Sequence, residues 1–109
     1  MADINYKVLP VGEGKTRWLV SKAFEEAQMG HHVVLLSHRP SEYEKFLAYY
    51  RSEYGAGCPV QYANDMAVIP FDAVVLIDDC DKKKKHQLFD LEFLKEKCKK
   101  IFATMSNNV

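Results

Sequence analysis

Short apolar runs alternate with amphipathic stretches along the whole chain. "NYKVLP" (residues 5–10) reads as a first strand. From Lys15 to Met29 the apolar positions Leu19, Val20, Ala23, Phe24 and Ala27 recur at helical spacing, and Gly30 follows as a helix-ending glycine. "HVVLLS" (32–37) is a continuous apolar run, as expected of a strand covered on both faces. Ser41-Glu42-Tyr43-Glu44 has the S-x-x-E form of a capping box and opens a second helix with Tyr43, Phe46, Leu47, Tyr50 and Tyr54 on its apolar face. "EYGAGCP" (53–59) ends that helix, and "VQYA" (60–63) fits an edge strand. "DAVVLIDD" (72–79) is the strongest strand signal in the chain. Leu88 to Lys99 reads as a helix with Leu91, Leu94 and Cys98 inward, and "KIFATMS" (100–106) as a last strand. This alternation predicts an α/β fold with a parallel sheet of about five strands and helices covering both faces in three layers. The length, 109 residues, predicts one domain over 1–109.

Composition narrows the function classes. Hydrophobic residues make up 48% of the chain, enough for a packed core and too many for a disordered tail. Lys+Arg and Asp+Glu stand at 15 each, so no global charge draws the chain to nucleic acid or to a membrane. The three cysteines, Cys58, Cys80 and Cys98, lie far apart without C-x-x-C spacing, which predicts reduced core thiols and argues against zinc. The N-terminal segment lacks a signal-peptide pattern, and no apolar run approaches the roughly 18 residues of a membrane span. These features predict a soluble cytoplasmic protein with no membrane partner.

The chemistry concentrates in two places. "LPVGEGKT" (9–16) sits between the first strand and the first helix. A glycine-rich turn there lets successive backbone N–H groups point at one phosphate, and the helix adds its N-terminal partial charge. Val11, Gly12, Glu13, Gly14, Lys15, Thr16 and Arg17 are the candidate phosphate-binding residues. Lys15 would reach the outer phosphates and the Thr16 hydroxyl would help hold Mg²⁺. The plainer reading is a strand-to-helix turn that carries a lysine. Further on, "VVLIDD" places Asp78 and Asp79 at the carboxyl end of a buried strand, where open parallel sheets bind ligands. Asp78 there suits a Mg²⁺ held largely through water, and Asp79 suits an attacking water. The plainer reading is two acids ending a strand at the surface.

Together these segments resemble the Walker A and Walker B elements of P-loop NTPases. They are most similar to the first RecA-like domain of superfamily 2 helicases and related translocases. The loop of that family reads A-x-x-G-x-G-K-T, and Leu9 stands for the alanine. Its second motif is D-E-x-D or D-E-x-H, and this chain has Asp78-Asp79-Cys80-Asp81. The resemblance implies Mg²⁺ and ATP as cofactors, Asp78 and Thr16 on the metal, and Asp79 with Lys15 as catalytic residues. Asp79 is one methylene shorter than the family's glutamate, and a carboxylate about an ångström out of place can lower turnover on the order of 10²-fold. Phe102-Ala103-Thr104 resembles the S-A-T motif, which puts Thr104 near the outermost phosphate, with Ser106 and Asn107 close by in sequence. "LLSHRPSEY" occupies the place of a segment that touches nucleic-acid backbone, with His38, Arg39 and Ser41 as candidates.

Three functions fit this reading. The first is Mg²⁺-dependent ATP binding with weak ATPase activity, completed by a protein partner or by self-assembly. The second is a helicase-like interaction module that works by occupying a partner's surface. The third is a nucleic-acid-associated motor subunit. The second RecA-like domain of helicases has no counterpart in these 109 residues, so an arginine finger would have to act in trans. Lys82 to Lys85 form a basic run that is either a solvated loop or a phosphate contact. Tyr43, Tyr50 and Tyr54 at helical spacing read as core or half-buried residues before they read as base-stacking groups. Trp18 reads as packing against the sheet, and His31 and His32 as structural.

Overall fold

Every strand of the sheet runs parallel, because each is joined to the next through helical or turn-forming segments of the kind read above. The computed structural model describes residues 3–10, 14–80 and 90–106. Strand β1 (Ile4–Leu9) leads to helix α1 (Lys15–Gln28), strand β2 (Val33–Leu36) and helix α2 (Pro40–Tyr54). Strand β3 (Gln61–Ala63), a 3-10 turn (Met66–Val68), strand β4 (Val74–Ile77), helix α3 (Leu91–Lys97) and strand β5 (Lys100–Ser106) complete the described elements. The sheet order is β1-β5-β4-β2-β3. The last strand therefore lies between the first strand and the acidic strand.

Strand alternation sends side chains to two separate cores. Val33, Leu35, Val74, Leu76 and Phe102 pack with Leu19, Val20 and Ala23 of α1 and with Phe46 and Tyr50 of α2. Val34, Leu36, Val75, Ile77, Ile101 and Ala103 pack with Leu94 and Cys98 beneath α3. Helices thus cover both faces, giving the three-layer α/β arrangement expected. All four residues of β4 are fully buried, and each such side chain stabilises by roughly 1.5–3 kcal/mol. No helix among the described residues is long and apolar enough to cross a membrane.

One local expectation is corrected. Ser41 does not cap α2, because Pro40 already occupies its first turn and Arg39 is the residue before the helix. Proline's fixed φ suits the first helical position and pushes the residue before it to extended backbone, here φ −120° and ψ 114°. Ser37 does the tying instead. Its buried Oγ accepts the Arg39 N–H at 3.0 Å and donates to Glu42 Oε2 at 2.5 Å. The aromatic residues pack, as read from their spacing. Phe24 stacks on Tyr54 at 4.0 Å, and Trp18 meets Phe102 edge-on at 6.0 Å. His32 hydrogen-bonds Gln61 at 2.7 Å. The 3-10 turn had no counterpart in the periodicity, which is too short to register in three residues.

All three cysteines are free thiols. Burial pushes Cys98 up to about 11 and raises Cys58 as well, so neither is a ready thiolate at neutral pH.

A carboxylate, Glu26, sits on the inward stripe of α1 and is almost fully buried. Lys100 of β5 lies 3.1 Å from it and His31 Nδ1 3.0 Å. Burial pushes Glu26 up, but hydrogen bonds from Lys100 and then His31 outweigh it and hold the group below its ordinary value. A carboxylate with a depressed folded pKa stabilises above its unfolded pKa, about 4.3, and that contribution is lost as pH falls through the folded value. Glu26→Gln is therefore expected to lose ~1–2 kcal/mol at pH 7, the lower part of the range for charge-assisted hydrogen bonds because Lys100 is partly solvated. The deficit should narrow steadily below about pH 4, as urea melts of both proteins across pH will report.

Candidate functional site

The carboxyl ends of β1, β5 and β4 converge on the start of α1, so the order of strands alone brings the acidic and glycine-rich segments together. Gly14 makes the turn. Its φ of 90° and ψ of 26° place it in the left-handed region before the first helical residue, and a Cβ there would meet nothing within 4 Å. Glycine is needed for the backbone conformation, not for space. α1 has no side-chain cap at its start and no acid in its first turn, so carboxylates from elsewhere in the fold meet the positive end of the helix. Lys15 and Thr16 are its first two residues.

Lys15 is 9% exposed, a depth at which an ammonium needs an opposite charge. Asp79 supplies it: Lys15 Nζ and Asp79 Oδ1 form an ion pair between residues 64 positions apart in sequence. The Thr16 hydroxyl donates to Asp78 Oδ2 at 2.8 Å. Thr104, fully buried on β5, donates to Asp78 Oδ1 at 2.5 Å and accepts the Asp79 N–H at 2.9 Å. Two threonines thus fix one carboxylate from two elements while a backbone N–H links it to the next. Asp79 itself has φ 53°, a left-handed conformation uncommon outside glycine but better tolerated by Asp and Asn. The turn swings Asp79 out of the strand's alternation and toward Lys15. Asp72 shares a positive φ of 66° without any such partner set among the described residues, so the geometry counts at Asp79 because of what it aims.

The Asp78 carboxylate and the Thr16 hydroxyl are hard oxygen donors, a pair that suits Mg²⁺ keeping most of its water. Among the described residues no group of three or more His, Cys, Asp or Glu is placed to hold a metal. A phosphate-bound Mg²⁺ needs fewer protein ligands than that, so Thr16 with Asp78 fits it.

The structure brings Gly14, Lys15, Thr16, Asp78, Asp79 and Thr104 into one cluster. Arg17 stands apart: it is largely exposed and 3.4 Å from Glu53 of α2. Helical spacing turns position 17 onto the face shared with α2. Val11, Gly12 and Glu13 lie outside the described residues, as do Asp81, Lys82 to Lys85 and Asn107. Arg39 and Ser41 are exposed at the amino end of α2, beyond the carboxyl end of β2. Sequence reasoning missed the double role of Thr104, since only its proximity to a phosphate was expected. It also missed Glu26, whose place on the apolar stripe of α1, seven residues after Leu19, was the available signal.

Comparison of the chain with protein-family models, with characterised proteins and with solved structures finds no match.

Removing the Thr104 hydroxyl leaves the part-buried Asp79 N–H without this acceptor and takes one donor from Asp78. Thr104→Val is expected to cost ~1–3 kcal/mol of stability, the usual penalty for leaving a buried polar group unsatisfied. Thr104→Ser retains the hydroxyl and should recover most of that loss in the same denaturation experiment.

Proposed function

We propose that this chain is a P-loop NTPase-like domain of the RecA type that binds a nucleoside triphosphate, ATP foremost, together with Mg²⁺. Its own turnover is weak and is completed by a protein partner or by self-assembly. The observation that carries this reading is the cluster in which the first two residues of α1, Lys15 and Thr16, meet the two carboxylates that end β4. A lysine and a threonine directly after a left-handed glycine at a helix start present one ammonium, one hydroxyl and a positive helix end to the same small volume. A strained turn placing Asp79 among those groups supports a working site more than a strand end that merely meets solvent.

The residues divide the work by chemistry. The α1 amino end with Gly14 binds phosphate oxygens through backbone N–H groups. Lys15 adds a point charge for the outer phosphates. Thr16 and Asp78 would hold Mg²⁺, which when bound neutralises phosphate charge and orients the oxygens. Thr104 keeps Asp78 in place and fixes the Asp79 backbone. Asp79 positions the attacking water and accepts its proton.

The Lys15–Asp79 pair sets a competition within this scheme. Phosphate and Asp79 both call on the same ammonium, so Lys15 must leave Asp79 to reach a phosphate, and its departure releases the carboxylate for water. That exchange, with the short side chain of Asp79, favours slow turnover in the isolated chain.

Calorimetric titration with ATP and with ADP, each with and without Mg²⁺, tests the reading. Wild type should bind in a Mg²⁺-dependent manner and Lys15→Ala should bind at least ~10-fold more weakly, as expected when a charge-assisted contact to phosphate is removed. Failure of wild type to bind either nucleotide at millimolar concentration would leave the interaction-module reading in its place. Asp79→Asn separates the two roles. It should bind ATP several-fold more tightly, because a competitor for Lys15 and a repulsive charge are gone, while phosphate release falls on the order of 10²-fold with loss of the base.

A further inference from the structure

Strand β1 lies at one edge of the sheet and, among the described residues, hydrogen-bonds only to β5. The Ile101 N–H donates to the Asp3 carbonyl at 3.4 Å, so the backbone groups of Asp3, Asn5 and Lys7 face β5. Those of Ile4, Tyr6 and Val8 face outward. The side chains alternate as well. Ile4, Tyr6 and Val8 are in register with Ile101, Ala103 and Met105 and so lie on the α3 face of the sheet, where Tyr6 is 43% and Val8 52% exposed. Asp3, Asn5 and Lys7 lie on the other face, and Asp3 and Lys7 make no ion pair among the described residues.

We infer that β1 is a self-association edge that takes β1 of a second copy, antiparallel about a two-fold axis through Asn5. This register places Ile4 opposite Tyr6 of the second copy, so that two outward-facing residues exchange their backbone hydrogen bonds. It sets Asp3 opposite Lys7 of the second copy, and Lys7 opposite Asp3, at a non-hydrogen-bonded pair, where side chains approach most closely. Moving the axis to Tyr6 sets Asp3 against Leu9, and moving it to Lys7 sets lysine against lysine. Only the axis at Asn5 satisfies both charges. On the opposite face the exposed Tyr6 and Val8 join the matching stripe of the second copy and lose contact with water. A lysine on an open edge normally discourages pairing with other chains, and here it becomes selective for a copy that offers Asp3 in the same place.

The antiparallel arrangement points the carboxyl ends of the two sheets in opposite directions. The two Lys15–Asp79 clusters therefore lie at opposite ends, and this contact supplies neither with a residue from the other copy. A group acting in trans on either cluster has to come through a different surface.

Because one short strand pair buries little area, the assembly is a weak one, with a dissociation constant on the order of 10–100 µM. Sedimentation velocity over that range, with a charge swap, tests it. Wild type should show a monomer–dimer equilibrium. Asp3→Lys and Lys7→Glu each set like charges opposite one another and should weaken association about 10-fold or more. Mixing the two variants sets opposite charges against each other again at both cross-strand pairs, and should restore association. Both positions are exposed and circular dichroism should be unchanged. As a check that needs no variant, protection of the Ile4 and Tyr6 amides from hydrogen exchange should rise with wild-type concentration. A wild type monomeric throughout overturns the proposal, as does a dimer unaffected by either reversal, or variants that mixing does not restore.

Discussion

The structure is organised around one electrostatic constraint: a lysine that opens a helix is buried, and a carboxylate at the end of a central strand neutralises it. Lys15 cannot sit 9% exposed beside α1 without an opposite charge, and Asp79 can reach it only by leaving the regular path of β4. Thr104 makes that departure stable by accepting the Asp79 N–H and donating to Asp78. Thr16 closes the arrangement from the helix side. Three elements are thereby joined at one end of the sheet by polar contacts.

The opposite end carries a second polar anchor of a different kind. Glu26 joins the carboxyl-terminal half of α1 to the start of β5 through Lys100, and to the following loop through His31. β5 is therefore tied to α1 at both ends, by Lys100 to Glu26 and by Thr104 through Asp78 to Thr16. With α1 pinned at its two termini against the same strand, the apolar stripe of Leu19, Val20 and Ala23 has one way to lie on the sheet. The resulting rigidity is what a site built from a helix start and a strand end requires, because its groups must converge within a few tenths of an ångström.

Strength of signal followed chain locality. The buried strands β2 and β4 were legible because a parallel strand covered on both faces has no polar position to interrupt it. The ends of α1 were marked by Gly14 and Gly30, whose φ values of 90° and 82° only glycine adopts freely. The start of α2 was misread because two capping signals overlapped, and the proline at position 40 outranked the serine at 41. Arg17, read as a phosphate-binding candidate from its place beside the loop, pairs with Glu53, since a helix advances about 100° per residue.

By itself the sequence determined the order of the strands and helices, the parallel character of the sheet and the polar groups at the strand ends and helix start, because these follow from local patterns of apolar, glycine and charged positions. Only the tertiary structure decided how these groups engage one another. That Lys15 pairs with Asp79, that Thr104 serves both aspartates, and that Asp3 and Lys7 are left on an open edge all depend on contacts between segments distant in the chain. No local pattern encodes them, since each is fixed by strand order, by register and by the one backbone turn at Asp79 that breaks the alternation of β4.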